Sequence, residues 1–177
     1  AFACNATEAE EVERLFGMVE REISTPDIVV YNASGRARGA FTDLVPAEVA
    51  NAIAVSAFGG FLVAQQAAQR MLPNKSGAIL FTGASASVKG YAQSAPFAMG
   101  KFAVRGLAQS LARELSPAGI HVAHFVIDGA VQSTVPVRNA KDAFTAEAIA
   151  ASYMAVLDQP RGGWSWEVEL RRFDESF

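Results

Sequence analysis

Apolar positions return every three or four residues near the start of the chain, at Val12, Leu15, Phe16, Val19 and Ile23. That spacing predicts an amphipathic helix. Thr7 stands before it as the expected cap, and Glu8, Glu10 and Glu11 suit the positive end of the helix. The pattern then changes. Asp27 to Tyr31 is short, apolar and β-branched, which reads as a strand, and it runs into the turn Asn32-Ala33-Ser34-Gly35. Pro46 opens a long helix expected to reach about Met71. Ala78 to Thr82 and Ile120 to Ile127 are unbroken apolar runs, the mark of strands buried on both faces. A helix from about Pro96 to Leu115 lies between them. Thr145 caps a shorter helix to Leu157, and Trp164 to Leu170 alternates as a strand does. Ala1 to Cys4 reads as the tail of one more strand.

Helix and strand alternate throughout, so the expected class is α/β, a parallel sheet with helices on both faces. Such sheets bind ligands at the carboxyl ends of their strands. Three strand ends run into small or polar loops that share that edge: Asn32 to Gly35, Gly83 to Gly90, and Asp128 to Ser133.

Composition narrows this. The 177 residues suit one domain with a real core, 51% are hydrophobic and 19% charged. A net charge of −3 with no basic stripe argues against a nucleic-acid partner. The single cysteine, Cys4, leaves no internal disulfide framework and points to a reducing, cytoplasmic setting. Acidic Glu8 to Glu22 does not read as a signal peptide. Ala50 to Ala68 has no charge, but Asn51, Ser56, Gln65, Gln66 and Gly59-Gly60 make it a buried helix rather than a membrane span. His121 and His124, three apart on a strand, point to opposite faces, so no metal site is expected. Trp164, Trp166 and Phe173 are expected at a subunit interface.

The loop and helix from Phe81 to Arg105, FTGASASVKGYAQSAPFAMGKFAVR, carry the candidate chemistry. Together with Asn32-Ala33-Ser34-Gly35, Leu111-Ala112-Arg113-Glu114-Leu115 and Asp128-Gly129, they make the chain resemble the short-chain dehydrogenase/reductase family. The resemblance implies a Rossmann-like doubly wound parallel sheet, and NAD or NADP as cofactor. It further implies hydride transfer on a small carbonyl or alcohol substrate. By this resemblance Ser85, Phe97, Lys101 and Ser56 occupy the catalytic positions. Asn5, Asn32, Ala33, Gly35, Lys101, Asp128, Gly129, Val131 and Ser133 occupy cofactor-binding ones. Residues 131–158 would form a substrate lid. The helices at 47–71 and 96–115 would join copies into a homodimer or homotetramer.

Two departures stand out. The family's glycine-rich phosphate loop has no counterpart, so the first two βα units, roughly 60 residues, are expected to be missing. The family's Tyr-x-x-x-Lys reads Phe97-Ala98-Met99-Gly100-Lys101 here. The spacing keeps both side chains on one helix face, but Phe97 has no hydroxyl to pass a proton. Tyr91 is the nearest phenol, and the loop serine aligns with Ser85 or, by strict count, with Ala84. Ser56 stands where the family has an asparagine. The resemblance therefore leaves two readings: an oxidoreductase lacking its usual acid, or a dinucleotide-binding scaffold or sensor.

Overall fold

The computed structural model describes residues 1–132 and 143–173. Helix α1 spans Ala9–Glu22, and strand β1 Ile28–Tyr31. Helix α2, Pro46–Ile53, passes through a π-helical turn at Ala54–Phe58 into α3, Gly59–Met71. Then come β2 (Ala78–Thr82), α4 (Ala95–Leu115) and β3 (His121–Asp128). The short strands β4 (Ala130–Val131) and β5 (Ala143–Phe144) pair with each other, and α5 (Ala146–Leu157) and β6 (Glu167–Arg171) complete the order.

The main sheet runs β1-β2-β3-β6, every pair parallel, with Ile28 opposite Ala78 and Ala78 opposite His121. Side chains alternate across it. Ile79, Phe81 and Val122 enter a core with Val12 and Phe16 of α1, Leu62 and Met71 of α3, and Val104 of α4. Leu80, Ala123 and Phe125 face the other way, onto Val156, Ile149 and Tyr153 of α5. Helices thus lie on both faces, as the continuous apolar strands imply. Of the two faces, the second is thinly covered beside β1: Ile28 and Val30 are 51% and 48% exposed.

The run Pro46–Asn74 is long and apolar enough to cross a membrane by length and composition alone. Ala52, Leu62, Ala64, Ala67 and Met71 bury one side of it in the fold.

Two local expectations change. Glu8, not Thr7, precedes the first helix, and it makes no side-chain cap. Thr7 is instead drawn to Asn5, whose side-chain oxygen accepts from the Thr7 amide at 3.1 Å and hydroxyl at 2.9 Å. Ala1 to Cys4 pair with no strand. Trp164 and Trp166, both half-buried, have contacts within the chain: Trp164 stacks on His121 at 4.6 Å, and Trp166 packs against the α1–α3–α4 side. Phe173 is almost wholly exposed.

Candidate functional site

The turn after β1 is pinned from the long helix. The π-helical turn brings Ser56 inward, where it is fully buried. Its Oγ accepts from the Gly35 amide at 2.9 Å. Residue 35 must be glycine, because a Cβ there would lie 2.6 Å from the Ala52 Cα. Tyr31 adds a second tie, its hydroxyl donating to the Val55 carbonyl. Burial pushes that phenol up to about 12, so it stays a donor. Ser56 is therefore brought to the turn, and its hydroxyl is spent there.

The loop after β2 is anchored from beneath. Gly83 sits against the His124 ring, and a Cβ on it would also come 2.7 Å from the Phe125 carbonyl. Ser85–Ser87 form a single 3-10 turn. Ser87 Oγ accepts from the Ala84 amide at 3.2 Å and lies 3.3 Å from His124 Nε2. On the other side of the ring, His124 Nδ1 lies 3.0 Å from Glu167 Oε2. Arg105 of α4 grips both Glu167 oxygens, at 2.7 and 2.8 Å. Burial holds His124 below its usual range, which keeps it neutral. Burial alone would raise Glu167, but Arg105 and His124 outweigh it and hold the carboxyl low. The consistent assignment has Nδ1–H donating to Glu167 and Nε2 accepting from Ser87. Serine, histidine and carboxylate stand in sequence as in a hydrolytic triad. Ser87 and His124 are sealed from solvent, however, so the row braces the loop.

Helix α4 carries the two candidate catalytic positions. Lys101 is 3% exposed, and its Nζ donates to the Thr82 carbonyl at 2.7 Å. An ammonium has three protons to donate. Thr82 is the one hydrogen-bond acceptor it has among the described residues. Burial, with the Arg36 charge adding to it, pushes Lys101 down to about 8. Phe97 lies one turn back, its ring centroid 5.9 Å from the Lys101 Nζ. On that ring rests the Arg36 guanidinium, 4.0 Å from the centroid.

The three strand-end loops meet, as the parallel topology demands. They enclose a cleft of about 390 Å³ lined by Arg36 and Arg38 from the first loop, Ala84, Ser85, Tyr91 and Ser94 from the second, Phe97, and Gly129 from the third. A larger apolar groove of about 640 Å³ lies beside it, between the bare face of β1–β2 and α5. Ile127 lines both hollows.

The sequence-predicted residues divide between these places. Ser85, Phe97 and Gly129 line the cleft, with Ala84, the alternative to Ser85, beside them. Asn32 and Val131 line the apolar groove. Ala33 is exposed. Asp128 ties the loops, accepting from Lys89 at 3.5 Å and Arg171 at 3.0 Å. Asn5 belongs to the turn before α1, its side-chain oxygen already taken. Ser133 lies outside the described residues, as do residues 133–142 of the expected lid. Helix α5, which falls within that expected segment, packs on the sheet through Val156.

Sequence reasoning missed Arg36 and Arg38, although an Arg-x-Arg directly after a strand-end turn was visible. It also missed the Ser87–His124–Glu167 row. Its one sequence signal was a histidine inside an unbroken apolar strand, which must find a partner when buried.

Comparison with known proteins agrees with this fold. Residues 1–143 match the family model for short chain dehydrogenase. The chain is 32% identical over 117 residues to the 3-oxoacyl-[acyl-carrier-protein] reductase MabA of Mycobacterium tuberculosis, covering 66% of this chain and 47% of the relative. It is 30% identical over 118 residues to the 5-keto-D-gluconate 5-reductase of Escherichia coli, covering 67% and 46%. The chain thus spans about half the length of the curated relatives it matches. Among solved structures, a short-chain dehydrogenase from Rhodopseudomonas palustris superposes with a TM-score of 0.82 at 28% identity, over 98% of this chain and 74% of the other. An alcohol dehydrogenase from Thermococcus sibiricus, complexed with 5-hydroxy-NADP, superposes at 0.86 with 19% identity, over 98% and 74%, which speaks for the fold. The chain belongs to the short-chain dehydrogenase/reductase family.

Proposed function

We propose that this chain forms the substrate side of an NAD- or NADP-dependent oxidoreductase acting on a small carbonyl or alcohol. The observation that carries the reading is Lys101: a buried ammonium, one helical turn from Phe97, that spends one donor on Thr82. Its remaining donors fit the hydroxyls of a nucleotide ribose, and Asn32 and Val131 offer a wall of the adjoining groove. A bound nicotinamide would supply or accept the hydride. The chain's own part is to fix the carbonyl in the cleft, exclude water and deliver a proton.

Phe97 cannot deliver it. The hydroxyls left on the cleft are those of Ser85, Tyr91 and Ser94, and they, or water they hold, take that role. A slow enzyme is the result. The alternative is a scaffold or sensor that binds a dinucleotide without turnover, favoured by Phe97 and by the engagement of the Ser56 hydroxyl with Gly35. Following the near-ultraviolet absorbance of reduced cofactor with a panel of carbonyl compounds separates the two. Cofactor binding with no reduction of any panel member would remove the enzymatic reading.

Two copies packed through α3 and α4 complete the proposal. Phe61, Met99 and Phe102 on these helices, and Phe58 in the π-helical turn before α3, leave large apolar surfaces exposed, at 41%, 53%, 45% and 50%. Helix α5 serves as the described part of the substrate cover, and a cytoplasmic setting accords with the lone Cys4.

A further inference from the structure

The cleft carries two positive side chains and no negative one. Arg36 and Arg38 both line it, and its other polar side chains, Ser85, Tyr91, Gln93 and Ser94, are neutral. Among the described residues neither arginine has a carboxylate partner within ion-pair distance. The nearby Asp128 is already held by Lys89 and Arg171. Arg36 is instead positioned by the face of Phe97, a contact that orients a guanidinium without neutralising it or using its hydrogen-bond donors. The positive end of α4, a 21-residue helix, opens at Ser94 on the same wall.

Like charges held near one another without a counter-charge are unfavourable, and each guanidinium or ammonium here disfavours the charge of its neighbour. Burial and the neighbouring Arg38 both lower the Arg36 guanidinium, and Arg36 in turn helps to lower Lys101. An anion in the cleft relieves all of these at once.

We propose that the cleft binds the carboxylate of a small oxo or hydroxy acid, held by Arg36 and Arg38, with the carbonyl or hydroxyl carbon beside Phe97 and Ser85. A guanidinium matches a carboxylate in two parallel hydrogen bonds. Arg36 lies against the very ring that occupies the acid's usual position, so it ties the anion directly to the reacting end of the cleft. The cleft's roughly 390 Å³ suits such a molecule. The assignment rests on the oxidoreductase reading and adds the chemical class of its substrate.

The test is calorimetric and needs no turnover. The full-length protein is titrated with pyruvate, acetoacetate and levulinate, which space carbonyl and carboxylate differently, and with the methyl ester of each at equal ionic strength. At least one acid is expected to bind ten-fold or more tighter than its ester. Arg36→Gln and Arg38→Gln should each erase most of that preference while leaving the unfolding temperature and ester affinity in place. Equal binding of every acid and ester, no binding at all, or a preference untouched by both variants overturns the proposal. So does a variant that loses NADP affinity but keeps the acid preference, which would assign the arginines to a cofactor phosphate. Acid binding with no oxidation of reduced cofactor would instead leave the anion site standing and sink the oxidoreductase reading.

Discussion

The Arg36 guanidinium lies 4.0 Å above the centroid of the Phe97 ring. A hydroxyl added to that ring would enter a cleft edged by this cation, with Lys101 behind. Both charges favour a phenolate, so Phe97→Tyr should create a working acid. We expect turnover of reduced cofactor to rise by about 100-fold or more, with a smaller gain if Arg36 is also replaced by Gln. An unchanged rate would show that more than the hydroxyl is missing.

Lys101 should make stability rise with alkaline pH. Its folded value, about 8, lies below its ordinary 10.5. At pH 7 both folded and unfolded chains carry the proton, and the folded one bears the cost of a buried charge. Between those two values the unfolded chain holds more protons, so stability increases as pH rises through 8. From pH 7 to 9 the gain is about 1 kcal/mol, read by urea unfolding. Lys101→Met should lose this slope. The same slope in both proteins would refute the assignment.

The loop's foundation should be intolerant where its rim is tolerant. Gly83→Ala drives a methyl into the His124 ring and the Phe125 carbonyl, and should cost at least about 2 kcal/mol. Gly90→Ala, with nothing near its added carbon, should cost far less. Equal effects in chemical denaturation would argue against the packing. His121 and His124 are both held below their usual range by burial. Stability should therefore fall as pH drops below about 6.5, and His124→Gln should reduce that loss.

Phe61 and Phe102 should report on self-association. Light scattering of the full protein at micromolar concentration is expected to give a dimer or tetramer. Phe61→Glu with Phe102→Glu should yield monomers, since charge at an apolar interface is costly to bury. A monomeric parent protein would exclude packing through α3 and α4.

Much of the fold was legible because its strands are unbroken apolar runs and its helices keep a clear period. The boundaries of β2 and the cap at Thr145 match the residues that predicted them. Thr7 misled because a cap is a competition. Asn5 lies within reach and takes both Thr7 donors before the helix can use the hydroxyl. The site was legible only in part. Ser85, Phe97 and Lys101 were singled out by the family resemblance of one loop and one helix; Ser85 and Phe97 line the cleft, and Lys101 is buried against Thr82. Ser56 to Gly35 and Ser87 to His124 depend on elements 21 and 37 positions apart, and no local pattern encodes such pairings. The two arginines were equally obscure, since an exposed charged pair in a loop is ordinary until the cleft around it is seen to lack acids.

The Ser87–His124–Glu167 row separates the part of the site that must stay fixed from the part that can vary. Its members come from a loop and two strands, and they hold the floor without touching the cavity above. Ser85, Tyr91 and Ser94 stand on that floor with their side chains at the rim. Changes there can alter what the cleft accepts without repacking the sheet. A library seeking new substrates should therefore randomise the rim and the two arginines, and leave residues 83, 87, 124 and 167 alone. Natural drift under selection for folding would follow the same division, retaining the floor long after the chemistry above it has changed.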